Sequence, residues 1–155
     1  MTLLPLHLTT ARGLEPWLAG EARRLGAARV RLGRAGVACR GDLATAYRLR
    51  LWSRLASRVL LVLTVGPADD AEALYATAGR VDWRDHLRPD GTLAVDFTGT
   101  NAAIRDTRYG AQLVKDAVVD QLRARSGGRR PTVDLRRPDV RVNVHLEGRT
   151  ATVSL

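Results

Sequence analysis

Seven arginines fall within residues 123–142, at positions 123, 125, 129, 130, 136, 137 and 141, against two carboxylates, Asp134 and Asp139. A guanidinium is a planar, permanently charged fork that can hold two phosphate oxygens at once and can also stack on an exposed base. Gly127 and Gly128 interrupt the cluster, and a chain without Cβ atoms can bring its backbone close to a phosphate. The chemistry offered is recognition of a polyanion, with Arg123, Arg125, Arg129, Arg130, Arg136 and Arg137 as candidate contacts. For each arginine two readings stand at this point, a phosphate contact or a solvated side chain on a flexible loop.

A second candidate group is Arg105, Arg108 and Tyr109, at the expected start of a long helix whose first amides could add donors. Tyr109 would either stack on a base or enter the core. Lys115, further along the same helix, is a candidate contact as well.

No catalytic or metal-binding constellation accompanies these groups. There is no GxGxxG and no GxxxxGK[ST], so neither a dinucleotide loop nor a phosphate-binding P-loop is offered. His7, His86, His145 and Cys39 lack metal-ligand spacing, and His7 and His145 read as structural residues of strands. Asp116 and Asp120 share a helical face, but Lys115 and Arg123 beside them make it a solvated, charge-mixed face. Ser53 and Ser57 have no histidine nearby in sequence. No catalytic residue and no metal are expected.

Global composition points the same way. A net charge of +9 with a pI near 11.2 calls for a polyanionic partner, which inside a cell is most often nucleic acid. A GC-rich genome would explain why 24 of the 25 basic residues are arginine, but not the net excess. The excess is uneven: residues 1–68 hold 11 basic and 3 acidic residues, residues 69–155 hold 14 and 13. The lone Cys39 excludes an internal disulfide and fits a reducing compartment. MTLLPLHLTT has no secretory pattern, and VLLVL at 59–63 is far short of the ~18 apolar residues of a membrane span, so a cytoplasmic location is expected.

The elements that must carry these groups follow from periodicity. Residues 3–9 read as a strand and 14–25 as a helix with Leu14, Trp17, Leu18 and Leu25 inward. Segments 28–32 and 36–40 read as a hairpin around Gly33 and Gly36. Asp42 caps a helix over 43–53, and 57–65 reads as a buried strand. The order βαββαβ is ferredoxin-like, an antiparallel sheet with two helices on one face. The turn-rich GPADD at 66–70 is the expected boundary, giving domains 1–66 and 69–155. Beyond it come a helix at 69–80, a turn at 83–86, a strand at 92–98, a helix from about 107 to 125 and strands at 140–146 and 150–155. Trp17 and Trp52, each among leucines on an amphipathic helix, are expected in the core, and Trp83 is expected to close the gap between the domains. The final strand runs to the chain end, which suggests a fragment of a longer protein.

Four blocks carry a family resemblance: TARGLEPWL at 10–18, GDLATAYRLRLWSRLASRVLL at 41–61, RYGAQLVKDAVVDQL at 108–122 and RPTVDLRRPDVRVNVHL at 130–146. In order and spacing they resemble the N-terminal half of bacterial large-subunit ribosomal RNA guanine-N(2) methyltransferases. The resemblance covers nearly the whole chain. It implies an α/β protein in which a ferredoxin-like domain precedes a THUMP domain, an RNA-binding module, ahead of a Rossmann-like methyltransferase domain. The partner it implies is large-subunit ribosomal RNA, and the full-length protein would use S-adenosylmethionine. The family's cofactor-binding glycine loop and its (N/D)PP(Y/F) motif are missing from these 155 residues, so activity does not carry over to this chain. The alternatives are a transfer-RNA-binding THUMP module, a protein-docking domain whose arginines pair with an acidic protein, and, more weakly, a self-contained enzyme.

Overall fold

The structure is a computed structural model and describes residues 2–155. The chain divides into two units, Met1–Val62 and Leu63–Leu155. In the first, β1 (Leu4–Thr9) alternates so that Leu6 and Leu8 face inward. Helix α1 (Glu15–Arg24) has Pro16 and Glu15 in its first turn and Arg23 and Arg24 in its last, each suited to its end of the helix dipole. Gly26, at φ +97°, ends it. The hairpin of β2 (Ala28–Gly33) and β3 (Gly36–Gly41) leads to α2 (Leu43–Trp52), whose N-cap Asp42 accepts from the Thr45 amide at 2.7 Å. Strand β4 (Arg58–Pro67) completes βαββαβ, with antiparallel order β2-β3-β1-β4. Leu6, Leu8, Leu18, Ala19, Ala22, Val37, Cys39 and Leu49 form the core.

The second unit takes up the end of β4 and adds α3 (Ala71–Gly79), capped by Asp70, and a 3-10 helix at Trp83–Asp85. Strand β5 (Thr92–Thr98), α4 (Thr107–Arg125), β6 (Thr132–Val133), β7 (Val140–Glu147) and β8 (Thr150–Ser154) follow. The strand order is β8-β7-β5-β6, with β5 parallel to both β6 and β7 and β7 antiparallel to β8. Helix α4 buries Val114, Ala117, Val118 and Leu122 at three- and four-residue spacing. Gly110 lets α4 close onto Phe97, whose ring would lie 2.6 Å from a Cβ placed there. Gly99, at φ +90°, is required more strictly, because a Cβ would collide with the Leu146 carbonyl oxygen.

The ferredoxin-like order matches the sequence reading, and several local expectations need correction. Trp17 and Trp52 are 68% and 70% exposed rather than buried, because α1 packs through Leu18, Ala19 and Ala22, and α2 through Thr45 and Leu49. Leu14 is exposed for the same reason. Trp83 is fully buried within the second unit, its indole N–H donating to the Ala78 carbonyl at 3.0 Å and its backbone N–H to Gln121 Oε1 at 2.8 Å. Strand β4 is half-buried along Val59–Thr64, not buried, and runs through Gly66 and Pro67. The GPADD segment is therefore partly strand. Its Ala68 is fully buried and donates its N–H to the Arg149 carbonyl at 2.8 Å.

Candidate nucleic-acid interface

In the second unit α4 returns from the end of β5 toward its start, so its two termini lie at opposite ends of the unit. Nineteen helical residues separate them by about 27 Å. Arg105, Arg108 and Tyr109 occupy one end. Arg123, Arg125, Arg129, Arg130, Arg136 and Arg137 gather at the other, where the Thr132 amide donates to Gly91 O and the Asp134 amide to Leu93 O. The candidate residues thus form two groups, and Lys115 lies on the helix between them.

The arginine-rich segment is ordered by its main chain. Gly127 and Gly128, at φ +63° and +90°, turn the chain out of α4, and the Gly128 N–H caps the Arg123 carbonyl at 3.1 Å. Asp134 Oδ1 then accepts from the amides of Arg136 and Arg137 at 2.9 and 3.0 Å, and those bonds hold its carboxyl below the usual carboxylate range. The short strand β6, absent from the sequence reading, fixes Thr132 and Val133 beside β5. With the backbone tied down, the side chains of Arg130, Arg136 and Arg137 are exposed and form no ion pair among the described residues. Arg129 only reaches Ser126 O at 3.5 Å.

Other candidates are partly engaged. Arg123 pairs with Asp120 at 3.2 Å, Lys115 with Asp116 at 2.5 Å and Arg125 with Asp82 at 3.4 Å. Asp82 is bound first by Arg84, at 2.7 Å, and that hydrogen bonding pulls its carboxyl down to about 2. Arg141 is held by Asp96 and by the Leu135 carbonyl. The neighbouring cleft of about 490 Å³ has Asp90 and Asp139 in its lining, which disqualifies it as a phosphate pocket.

At the other end of α4, Asp106 caps the helix by accepting from the Arg108 amide at 2.8 Å, so the terminus already carries an anionic cap. Arg105 reaches only Ala102 O, and the Arg108 guanidinium is open. Tyr109 is 45% exposed, which removes its core reading and leaves its ring accessible.

The charge count of residues 1–68 leaves room for both domains to touch RNA, although every candidate residue named from the sequence lies in the second unit. All 11 arginines of the first unit lack an ion pair among the described residues, where every ion pair joins residues of the second unit. Its three carboxylates are occupied by neutral donors. Glu15 accepts from the amides of Gly13 and Ala35, Glu21 from the Ser53 hydroxyl and the amides of Arg54 and Leu55, and Asp42 from Thr45. The signal was present in the charge count of residues 1–68. Among the described residues no group of three His, Cys, Asp or Glu side chains could hold a metal, and no helix is long and apolar enough to cross a membrane.

A βαββαβ unit followed by a mixed-sheet α/β unit defines a tandem α/β module, and its open arginines offer positive charge to a polyanion. The chain belongs to the THUMP domain family, which it matches over residues 68–155. Residues 5–60 match the RlmL ferredoxin-like domain. Proteins named ribosomal RNA large subunit methyltransferase K/L are similar to it: that of Pseudomonas aeruginosa is 52% identical over 150 residues, 97% of this chain and 21% of the relative, and that of Syntrophotalea carbinolica is 49% identical over 147 residues, 95% of this chain and 20% of the relative. The chain thus spans about a fifth of the length of these relatives. Among solved structures, a protein described as a predicted N6-adenine-specific DNA methylase from Listeria monocytogenes superposes with a TM-score of 0.85 at 26% identity, covering 99% of this chain and 40% of that one. TrmN from Thermus thermophilus shares the fold, with a TM-score of 0.72 at 24% identity over 99% of this chain and 46% of its own.

Proposed function

We propose that the chain is the RNA-recognition arm of an S-adenosylmethionine-dependent methyltransferase acting on large-subunit ribosomal RNA in the cytoplasm. In that reading residues 1–66 form the ferredoxin-like domain and 69–155 the THUMP domain, and together they select and hold RNA. A catalytic domain beyond these residues binds the cofactor and transfers a methyl group to the exocyclic amine of a guanine. The carrying observation is about 50% identity, over nearly the whole chain, to relatives named for that activity. The open arginines at the β5-start end of the second unit supply the physical counterpart. Arg129, Arg130, Arg136 and Arg137 contact phosphates, with Arg123 and Arg125 beside them, while Arg105, Arg108, Tyr109 and Lys115 extend the contact along α4.

Crosslinking the full-length protein to total cellular RNA and mapping the linked nucleotides tests the proposal. Crosslinks concentrated in large-subunit ribosomal RNA are expected. Crosslinks confined to transfer RNA would replace the substrate, and no RNA crosslinks above those of an acidic control protein would overturn the reading.

A further inference from the structure

Helix α2 turns Thr45 and Leu49 into the core. At about 100° per residue, the centre of that pair lies about 180° around the helix from the row Leu43, Tyr47 and Leu51, which itself spans about 80°. The three side chains of the row are exposed by 58%, 58% and 76%. Trp52, three residues after Leu49, stands outside the row. A surface helix ordinarily keeps the face opposite its buried stripe polar, and α2 presents leucine, tyrosine and leucine there instead.

The rims of the row are basic. Arg50 lies about 20° beyond Leu43 on one side and Arg48 about 60° beyond Leu51 on the other. Both are exposed and neither forms an ion pair among the described residues; Arg48 is steadied by donating from Nη1 to the Leu25 carbonyl at 3.0 Å. The nearest carboxylate in sequence, Asp42, is occupied by the Thr45 amide at 2.7 Å.

Area and charge together select what covers the row. It exposes on the order of 350 Å² of apolar surface, the size of a functional patch on one chain but under half of the ~800 Å² per partner that two separate molecules bury in a stable complex. A second copy would also bring like charge, because a two-fold pairing of α2 on α2 about Tyr47 sets the same basic rims against each other, on units that each hold 11 basic and three acidic residues. Tethering removes the area requirement: a surface on the same polypeptide binds at an effective concentration of about millimolar. Such a surface has ample source, since this chain spans 21% and 20% of the relatives that are about half identical to it. We propose that Leu43, Tyr47 and Leu51 dock the catalytic part of the full-length polypeptide, which lays an amphipathic segment along α2, apolar in its middle and carrying carboxylates that reach Arg48 and Arg50. The inference rests on the reading of the chain as one arm of a longer enzyme, and adds the contact that fixes the arm against the catalytic part. The leucines offer neither a flat ring nor a hydrogen-bond donor, so the row itself selects a protein surface, and its rims select an acidic one.

Thiol labelling of the full-length protein without RNA, read by mass spectrometry of the labelled peptides, tests this. Leu51→Cys is compared with Leu32→Cys, a reference on β2 whose native side chain is 59% exposed, and native Cys39, which is buried, reports that the unit remains folded. A row docked for at least about nine tenths of the time slows labelling of Leu51→Cys at least about tenfold relative to Leu32→Cys. Adding Tyr47→Glu, which sets a negative charge against an acidic segment, should bring the two rates to within about twofold while Cys39 stays unlabelled. A photoreactive phenylalanine analogue in place of Tyr47, activated in cells, identifies the occupant. Crosslinks within the same polypeptide to acidic peptides beyond residue 155 are expected. Equal labelling of the two cysteines overturns the proposal, and so do crosslinks only to residues 63–155, to a second copy, to a different protein or to RNA, or no crosslink within the polypeptide. Protection of Leu51→Cys in a protein that yields no ribosomal RNA crosslinks would leave this docking standing and remove the proposed function; free labelling beside abundant ribosomal RNA crosslinks would remove the docking alone.

Discussion

Replacing Arg129, Arg130, Arg136 and Arg137 together by glutamine isolates the phosphate-binding role proposed for the segment after α4. Its backbone is held by bonds these side chains do not make: Asp134 to the amides of Arg136 and Arg137, Thr132 N–H to Gly91 O, and Asp134 N–H to Leu93 O. The one side-chain bond removed, Arg129 Nε to Ser126 O, is 3.5 Å long, so stability should change by no more than about 0.5 kcal/mol. Each phosphate contact releases counterions and contributes about −0.7 to −0.9 to the log-log slope of affinity against salt. Four contacts give a slope near −3 to −3.6, so a fourfold rise in salt should weaken binding of a structured RNA hairpin by about 60- to 150-fold. In the variant that dependence should largely disappear, and affinity should fall alike for every sequence, because phosphates carry no base identity. The assay is anisotropy of a labelled hairpin across a salt series, with melting measured in parallel. The comparison replaces Arg23, Arg24, Arg31 and Arg34 of the first unit. A native-like quadruple variant with unchanged affinity and slope, beside a first-unit variant that loses both, would refute the assignment.

Three further outcomes follow from the fold. Gly99→Ala should lower stability by at least about 2 kcal/mol in urea unfolding, since φ +90° and the Leu146 carbonyl in the path of the new Cβ leave the residue no room, and a variant within about 0.5 kcal/mol of wild type would contradict the geometry. Burial pushes the Cys39 thiol up to about 11; a folded value above the unfolded one stabilises fully below the unfolded value and is lost as pH rises through about 11, so between pH 9 and 11 wild type should lose more stability than Cys39→Ala, and native Cys39 should resist a thiol reagent at neutral pH until the chain unfolds. Limited digestion with a protease of broad specificity should cut first in the open glycine turn at 126–130, whereas initial cleavage at 66–70, expected of an exposed domain linker, would mean that the end of β4 opens more readily than its Ala68–Arg149 bond implies.

The order of the elements was legible because each carries its own punctuation. Asp42, Asp70 and Asp106 stand where helices begin, Gly26 and the Gly127–Gly128 pair where they end, and Gly33 and Gly36 in the hairpin. Which face of α1 is buried was not legible from side-chain hydrophobicity. Ala19 and Ala22 turn inward because small residues let the helix approach the sheet, and a helix that approaches through alanines leaves Trp17, one position from Leu18, in solvent. Helix α2 has no apolar stripe to read, since leucines and aromatics surround it, so periodicity could not separate Leu49 from Leu51. Strand β6, two residues long, is too short to show a period. Among the arginines, the distinction that matters is set by partners distant in sequence. Arg125 is engaged by Asp82 and Arg141 by Asp96, while Arg130 and Arg137, identical in type and neighbouring in sequence, are not.

Charge and its compensation therefore divide the labour differently from charge alone. The second unit is almost neutral by count, yet seven ion pairs among the described residues engage six of its 13 carboxylates, and none of them reaches Arg105 or Arg108 at one end of α4 or Arg129, Arg130, Arg136 or Arg137 at the other. The first unit is strongly basic by count and commits its three carboxylates to backbone and hydroxyl donors, so its arginines are compensated by no described ion pair within it. Phosphate contacts of either kind give affinity without choice. Choice requires groups that distinguish a stacked base from a splayed one, and the exposed aromatic rings with that capacity outside the α2 row are Trp17 and Trp52 on the first unit and Tyr109 and Tyr75 on the second. Tyr75 already donates its hydroxyl to Asp120 at 2.7 Å, which raises its own pKa and orients its ring along α4. Tyr109 has no such tether. Discrimination of RNA shape by this chain should accordingly be lost by removing rings, and affinity by removing arginines. The two losses should be separable because, among the described residues, none of these rings is hydrogen-bonded to an arginine proposed to contact phosphate.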